Sequence, residues 1–238
     1  MEHPVLFALE DQTAVITLNR PERRNAINQA LLAGLYDAIE QVAQEDAIRA
    51  AIITGNGKSF CAGIDLDAIL TENLFDPRND GTDLPDIFAS CDKPIIGAVN
   101  GHAITGGFEI ALHCDFLIAS ENASFADTHA RVGIHPGWGM TQLLQQAVGR
   151  RRARQMSFSC QFIDARTACE WGLVNEVTAP DRLLARAKEI AAQIGTVNQE
   201  LLKKIKKLID TQDTAPLATA FAHERKGFRE FVKNQLNR

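Results

Sequence analysis

The sequence predicts an α/β fold in which short parallel strands alternate with helices. Apolar runs of strand length recur at 50–54, 94–99 and 116–119, and each is too short for a buried helix. Segments with helical spacing precede or separate these runs, and such alternation favours a parallel sheet. From about residue 139 onward the pattern is mostly helical, with one short apolar piece at 174–177.

The first elements are a hairpin and a helix. Two apolar runs, 5–9 and 15–18, flank the polar turn E-D-Q, which is typical of a hairpin. Asn28 is suited to cap a helix that runs to about Gln44. Apolar residues recur along that helix at helical spacing: Leu31, Leu32, Leu35, Ile39 and Val42. The strand at 50–54 then leads into a glycine-containing loop, G-N-G-K-S-F-C-A-G-I-D-L.

Later elements are a loop and several helices. Residues 71–86 are rich in Asp, Asn, Pro and Gly, and we expect a mobile loop there. A helix is expected from Gly106 to about His113. The segment L-L-K-K-I-K-K-L-I at 201–209 has an apolar face and four lysines, which favours a solvated helix over a membrane or anionic partner. A last helix from about Leu217 sets four apolar residues among charges: Phe221, Phe228, Phe231 and Val232.

The composition excludes several classes of protein. A chain of 238 residues allows one substantial domain with a smaller appended piece. A net charge of -5 and a pI near 5.7 argue against a nucleic-acid partner. The apolar runs are far shorter than a membrane span, and the N-terminal residues lack the pattern of a signal peptide. The five scattered cysteines never form C-x-x-C, which favours reduced thiols in a cytoplasmic protein.

Glu109 lies in an unusual environment for a charged residue. It stands within N-G-H-A-I-T-G-G-F-E-I-A-L-H-C-D at 100–115, with apolar residues on both sides and no Lys or Arg nearby. A carboxylate in apolar surroundings is costly unless it is paired, protonated or used in function. Glu109 is therefore a candidate functional residue.

Two glycine-containing loops follow predicted strands. The first is C-A-G-I-D at 61–65, and the second is T-G-G at 105–107, directly before a helix. Glycine lets a backbone approach another group closely, and the start of a helix has unpaired N–H groups. Two such loops side by side can direct two N–H donors at one oxygen, as in an oxyanion hole. Taken alone, each loop is more typical of a simple turn.

Three segments in this order resemble the crotonase (enoyl-CoA hydratase/isomerase) superfamily. They are K-S-F-C-A-G-I-D-L, K-P-I-I-G-A-V-N-G-H-A-I-T-G-G-F-E-I-A-L-H-C-D and A-S-F-A-D-T-H-A-R-V-G-I-H-P-G-W-G. T-L-N-R-P-E-R-R-N-A-I-N and A-C-E-W-G-L-V-N-E-V fit as well, so the resemblance covers nearly the whole chain. It implies a crotonase-type spiral of ββα units over 1–190. It further implies a helical C-terminal region over 191–238, serving trimerisation and as a CoA lid, and homotrimers or dimers of trimers.

The resemblance also implies a catalytic site. The shared chemistry of the superfamily is stabilisation of a thioester enolate, here by the backbone amides of Ile64 and Gly106. Glu109 follows Gly106 by one helical turn, so its carboxylate is expected beside the reacting carbons of the substrate, with a raised pKa.

His129 is the main departure from the family pattern. A typical hydratase has a second glutamate that shares the catalytic water, and the motif F-A-D-T-H places His129 at that position. Asp127 lies two residues earlier, and no glutamate is nearby. Because histidine exchanges protons near neutral pH, a Glu109/His129 pair can still hydrate an enoyl thioester. We expect His129 to orient or deprotonate the water and Glu109 to supply the α proton, although the reverse is open. The alternative is that His129 is a structural residue of the pocket and that the protein is a poor hydratase or none.

Coenzyme A carries phosphates and a long arm, so its site should offer cations. Lys58 matches a family position that contacts CoA phosphate, and Arg23 and Arg24 lie in the expected segment. Each of these cations has the alternative of being an ordinary surface residue. Ala62, in the first glycine loop, is also implied as a binding residue. Trp138 is expected to wall the acyl pocket, with a plain core role as the alternative.

The expected function is that of an enoyl-CoA hydratase, a lyase of fatty-acid and lipid metabolism. It would add water reversibly to a trans-2-enoyl-CoA, giving a 3-hydroxyacyl-CoA, with no cofactor beyond the CoA of the substrate. No metal is expected, since H-E-x-x-H or similar spacing is absent. The alternatives are an enoyl-CoA isomerase or acyl-CoA thioester hydrolase of the same fold. An alternative of another class is a non-catalytic acyl-CoA binding protein.

Overall fold

A computed structural model describes residues 3–214, 216, 219 and 224–228. Its strands, numbered in chain order, are β1 (Val5–Glu10), β2 (Thr13–Leu18), β3 (Ala50–Gly55), β4 (Ser59–Cys61), β5 (Ile95–Val99), β6 (His102–Ile104), β7 (Phe116–Ser120), β8 (Ser124–Ala126), β9 (Ile163–Asp164) and β10 (Glu176–Thr178). Its α-helices are α1 (Gln29–Gln44), α2 (Leu84–Ser90), α3 (Gly106–Leu112), α4 (His129–Val132), α5 (Met140–Val148), α6 (Arg150–Ser159), α7 (Ala165–Glu170), α8 (Leu183–Gly195) and α9 (Gln199–Thr214).

The strands form two sheets, and the chain alternates between them. The six-stranded sheet has the order β1-β2-β3-β5-β7-β10, and the four-stranded sheet has the order β4-β6-β8-β9. The chain adds one strand to each sheet in turn, as β3 then β4, β5 then β6, and β7 then β8. Within each sheet these successive strands pair in parallel. This arrangement confirms the predicted α/β spiral.

Most predicted elements are present. The hairpin β1–β2 is antiparallel. Helix α1 begins after Asn28, whose side-chain Oδ1 accepts the N–H of Leu31 at 3.0 Å, as its capping role predicts. The amphipathic segment 201–209 lies on α9. Strand β9 is absent from the prediction because two residues are too short to show a periodicity.

The C-terminal helix predicted from about Leu217 falls mainly outside the described residues. Of its apolar residues, Phe228 lies in the described helical stretch 224–228. The other three lie outside the described part of the chain: Phe221, Phe231 and Val232.

The predicted loop at 71–86 is shorter than expected. Residues 84–86 begin α2, which is capped by the side chain of Asp83, so the prediction is wrong for these three. The remaining loop, 71–83, is fastened to α1. Arg78 makes ion pairs with Asp37 at 3.2 Å and Glu40 at 2.8 Å. The mobility of the loop stays a prediction.

The hydrophobic core lies on both faces of the six-stranded sheet. Side chains alternate along β3, so that Ala51 and Ile53 join the larger core while Ala50 and Ile52 join the smaller one. The smaller core is closed by α8, through Leu183, Ala187 and Ala191. The larger core includes the helices that carry the candidate site.

The chain divides into two compact units, Met1–Thr196 and Val197–Arg238. All residues predicted to form the site belong to the first unit. The predicted domain boundary at 190/191 and the roles predicted for the C-terminal region stay predictions. Among the described helices, none has the length and apolar character that crossing a membrane would require. All five cysteines are free thiols.

Candidate active site

Three site segments follow three neighbouring strands. Residues 62–65 follow β4, residues 105–109 follow β6, and residues 127–129 follow β8. These strands pair in parallel in the order β4-β6-β8. Since the carboxyl ends of parallel strands lie at one edge of a sheet, segments distant in sequence meet there.

The two glycine loops lie against each other, as the sequence predicts. Gly63 has φ +94°, and a Cβ placed on it would lie 2.9 Å from the Ile104 carbonyl oxygen and 3.7 Å from the Gly106 nitrogen. Glycine is needed at this point for both the backbone conformation and the close approach. Ile64 is held by a bridge to Ile27, whose N–H donates to the Gly63 carbonyl at 2.8 Å.

The backbone amides of Ile64 and Gly106 are the two donors that the resemblance implies. Among the residues that the structure describes, neither N–H has a hydrogen-bond acceptor. Thr105, directly before Gly106, has φ 51° and ψ −116°, which a β-branched residue rarely adopts. Its hydroxyl hydrogen-bonds the Thr128 hydroxyl at 2.5 Å, so the strained turn is tied to the segment after β8.

Glu109 is buried, with 1% of its surface exposed. Its Oε1 accepts the backbone N–H groups of Trp138 and Met140, each at 3.0 Å. Burial raises the pKa of Glu109 above the ordinary carboxyl value. The Met140 and Trp138 amides and the nearby His129 ring offset only part of that rise. Helix α3 therefore presents a carboxyl group whose pKa is raised, as predicted.

The structure brings His129 to Glu109. The Nε2 of His129 lies 3.7 Å from the Oε2 of Glu109, which is beyond direct hydrogen-bond distance. The other ring nitrogen, Nδ1, hydrogen-bonds Oδ1 of Asp127 at 2.8 Å. All three side chains are buried. The arrangement is a line of three ionisable groups, with the imidazole between two carboxyl groups.

Asp127 is ionised within this line. Burial works against its ionisation, but hydrogen bonds from the His129 ring and from Ser157 outweigh that effect, so the pKa of Asp127 lies below the ordinary carboxyl value. The two carboxyl groups thus have pKa values displaced in opposite directions. Such a separation is typical of catalytic sites, where neighbouring acids take different roles.

The residues predicted to bind CoA are placed around the first glycine loop. Lys58 is exposed and directly precedes β4. The length of β4, about 10 Å, separates Lys58 from the loop that follows this strand. Ala62 donates its N–H to the Arg24 carbonyl at 3.1 Å, and the Arg24 side chain is exposed. Arg23 makes an exposed ion pair with Asp67 at 3.6 Å.

Trp138 has the burial of a core residue, and its role in walling an acyl pocket stays a prediction. It is buried, with 1% exposure, and a Cβ placed on Gly106 would lie 3.2 Å from its ring. Its ring also packs against Phe75 from the 71–83 loop, with centroids 5.9 Å apart. The indole thus forms part of the core directly beside the Gly106 amide.

Sequence reasoning missed three features of the site. The sequence assigns no catalytic role to Asp127, although its two-residue spacing from His129 at a strand end is a signal of one. Arg20 forms an ion pair with Asp65 at 3.1 Å, which joins the loop after β2 to the first glycine loop. No local sequence pattern links these distant residues. The amides that bind Glu109 carry no sequence signal. Within the described part of the chain, no cluster of metal-ligating side chains is present.

Comparison with known proteins identifies the family of this chain. A family model described as Enoyl-CoA hydratase/isomerase matches residues 9–237. The probable enoyl-CoA hydratase 1, peroxisomal, of Arabidopsis thaliana is 41% identical over 199 residues, covering 83% of this chain and 74% of that protein. The short-chain-enoyl-CoA hydratase of Clostridium acetobutylicum is 38% identical over 230 residues, covering 95% of this chain and 88% of that protein.

Solved structures show the same likeness. An enoyl-CoA hydratase from Bacillus anthracis superimposes with a TM-score of 0.88 at 31% identity, covering 97% of this chain and 91% of that one. One from Mycobacterium avium gives 0.80 at 37% identity, covering 99% of this chain and 100% of that one. The chain therefore belongs to the enoyl-CoA hydratase/isomerase family of the crotonase superfamily. It is an enzyme whose hydratase relatives place it among the lyases, and an acyl-CoA substrate is consistent with this family.

Proposed function

We propose that this protein is an enoyl-CoA hydratase that adds water reversibly to a trans-2-enoyl-CoA to give a 3-hydroxyacyl-CoA. The observation that carries the proposal is the buried pair of Glu109 and His129, whose facing atoms are 3.7 Å apart. Hydration needs one group that gives a proton to the α carbon and one that takes a proton from water. A protonated Glu109 and a neutral His129 fill these two roles.

The thioester carbonyl oxygen is bound by the amides of Ile64 and Gly106. When water attacks the β carbon, the π electrons of the C=C bond move toward the carbonyl, and negative charge develops on that oxygen. Two fixed N–H donors stabilise this charge more than they stabilise the neutral substrate, which lowers the barrier. The absence of acceptors for both amides among the described residues supports this role.

The protons balance as follows. His129 Nε2 takes one proton from the attacking water as the C–O bond forms, and Glu109 gives one to the α carbon. The site is then left with an imidazolium and a carboxylate. Transfer of one proton from Nε2 to Oε2, across the 3.7 Å gap or through one water, restores the starting state. The net change is the addition of one water, without any oxidant or reductant, so we propose that no cofactor beyond the CoA of the substrate takes part.

Recognition of the CoA carrier falls to exposed cations near the first glycine loop. We assign the phosphate contacts first to Lys58 and then to Arg24, because Arg23 is already engaged with Asp67. Ala62 would line the groove beside them, and Trp138 would wall the acyl pocket next to Gly106. Energy from binding this remote handle helps to hold the reacting carbons in place.

Assembly and location extend the proposal beyond the single chain. We propose a homotrimer or a dimer of trimers, supported by the superfamily resemblance. A reducing compartment such as the cytoplasm is supported by the five free thiols.

Turnover of crotonyl-CoA by the wild type and by Glu109→Gln tests the proposal. Wild type should consume the enoyl thioester and yield 3-hydroxybutyryl-CoA, and Glu109→Gln should lose roughly 100-fold or more in kcat while still binding the thioester. Glu121→Gln, a matched change at an exposed position, should keep wild-type turnover. Mass analysis of the product separates hydration (a gain of one water) from isomerisation (no change in mass) and from hydrolysis (free CoA). Thioester binding without any turnover would support a binding protein instead.

A further inference from the structure

The orientation of the His129 ring is fixed by its neighbour at Nδ1. The Oδ1 of Asp127 lies 2.8 Å from this nitrogen and also accepts the backbone N–H of His129 at 3.2 Å. An ionised carboxylate accepts hydrogen bonds and donates none. Nδ1 must therefore carry a hydrogen whether the ring is neutral or charged.

The other ring nitrogen is consequently the one that exchanges its proton. In the neutral ring the lone pair is on Nε2, and Nε2 is the atom that lies 3.7 Å from Oε2 of Glu109. The Glu109 carboxyl cannot turn away freely, because two backbone amides hold its Oε1. The basic atom of the imidazole and the proton-donating carboxyl thus face the same small space.

We propose that Asp127 is a positioning residue of the hydration reaction, which fixes His129 so that Nε2 accepts the proton of the attacking water. This inference rests on the proposed hydratase function and adds to it. Asp127 acts through His129 and does not itself touch the substrate. Its negative charge also stabilises the imidazolium that forms when Nε2 takes the proton.

The charges around the ring support this assignment. The two carboxyl groups that face His129 are Asp127, at the end of β8, and Glu109, on α3. Arg131, on the same short helix as His129, directs its guanidinium to the Cys160 carbonyl at 2.9 Å. Asp127 is thus the acid in hydrogen-bond contact with the ring.

Asp127→Asn tests the inference, because an amide has nearly the same shape as a carboxylate and carries no charge. Kinetics with crotonyl-CoA should show kcat reduced by roughly 100-fold, with KM changed less than about threefold. The pH profile of kcat should change in shape as well, because the proton acceptor is no longer held in one orientation. Asp164→Asn, which alters the exposed N-cap of α7, is the matched control and should keep wild-type kcat.

The ring nitrogens themselves provide a readout that is independent of turnover. In protein labelled with ¹⁵N-histidine, the signals of His129 can be assigned among the six histidines by their loss in His129→Ala. We expect the neutral ring to carry its hydrogen on Nδ1 in the wild type. In Asp127→Asn a population with hydrogen on Nε2 should appear, because the amide NH₂ can donate to Nδ1.

The outcomes distinguish a failure of the positioning role of Asp127 from a failure of the proposed function. A wild-type ring with its hydrogen on Nε2 would overturn the positioning role even if the enzyme hydrates crotonyl-CoA. Unchanged kcat and pH profile in a folded Asp127→Asn would do the same. A wild type that shows no hydration would overturn the proposed function and this inference with it, whatever the tautomer.

Discussion

At the scale of single residues, Glu109 shows how burial can raise the pKa of a carboxyl group. Its carboxyl is removed from water, and only one of its two oxygens receives hydrogen bonds from backbone amides. These donors are too few to offset burial, so the pKa of Glu109 stays above the ordinary carboxyl value. The residue thus has a cost for stability that its function explains.

This cost gives a prediction about stability and pH. A carboxyl whose pKa is raised on folding takes up more protons in the folded state than in the unfolded state. Its penalty is therefore absent at pH values below the unfolded pKa and grows as pH rises through the folded pKa. Glu109→Gln should unfold at a higher temperature than wild type at pH 8, and this gain should vanish by about pH 4.

Thermal unfolding of both proteins across this pH range checks the sign. The amide oxygen of the glutamine can still accept the Trp138 and Met140 N–H groups, so the comparison isolates the charge. A variant that is less stable than wild type at pH 8, and equally stable at pH 4, would contradict the assigned direction of the pKa.

The residues of the site were not equally accessible to prediction. Glu109 could be predicted because a charged residue within an apolar stretch is evident from the sequence alone. The role of Asp127 depends on the orientation of the Asp127 and His129 side chains after β8. The pattern of apolar residues in the sequence does not predict side-chain orientation. The Arg20–Asp65 ion pair joins residues 45 positions apart, so it follows from topology alone.

At the scale of elements, the site depends on how closely α3 packs on β4. Gly107 is the contact point: a Cβ at this position would overlap the carbonyl oxygen of Cys61 and lie 2.6 Å from the Cys61 Cβ. The backbone of the two elements would have to separate to admit a methyl group. Because α3 carries Glu109 and begins at Gly106, its position sets the geometry of the whole site.

Gly107→Ala should therefore impair stability and turnover together. Overpacking of this kind costs about 1–3 kcal/mol, and the displaced helix should move Glu109 away from His129. Unfolding in denaturant and crotonyl-CoA kinetics measure the two effects. Gly227→Ala, where a Cβ would meet nothing within 4 Å, is the matched control. If Gly107→Ala kept wild-type stability and kcat, the close packing of α3 on β4 would be wrong.

The type of most strands and helices could be predicted because their apolar residues recur in clear patterns. Strands β3, β5 and β7 are buried on both faces, so each appears as a continuous apolar run. The short strands of the second sheet, such as β4 and β6, have three residues each and leave little pattern. These short strands end at the loops of the candidate site, so the placement of the site needed either the resemblance or the structure.

At the scale of the whole molecule, the larger core takes in residues from almost every element of the first unit. Four of the five thiols are buried, and Cys169 is half-buried. Burial raises the pKa of Cys61 to about 12, so it remains a thiol at neutral pH. The cysteines are thus packing residues of a chain without disulfides.

A thiol titration tests this picture of the core. With a water-soluble disulfide reagent, at most one thiol, that of Cys169, should react rapidly in the native protein, and five should react after unfolding. Cys169→Ser should leave no rapidly reacting thiol. Rapid reaction of two or more thiols in the native protein would contradict the burial of the other four cysteines.

We propose that His129 acts as the base beside Glu109, and the pH dependence of crotonyl-CoA hydration in wild type and His129→Ala measures this role. Wild type should show a bell-shaped kcat profile, limited at low pH by protonation of the base and at high pH by ionisation of Glu109. His129→Ala should lose roughly 100-fold or more in kcat and lose the acid limb. Rapid hydration by His129→Ala with an unchanged profile would exclude His129 as the base.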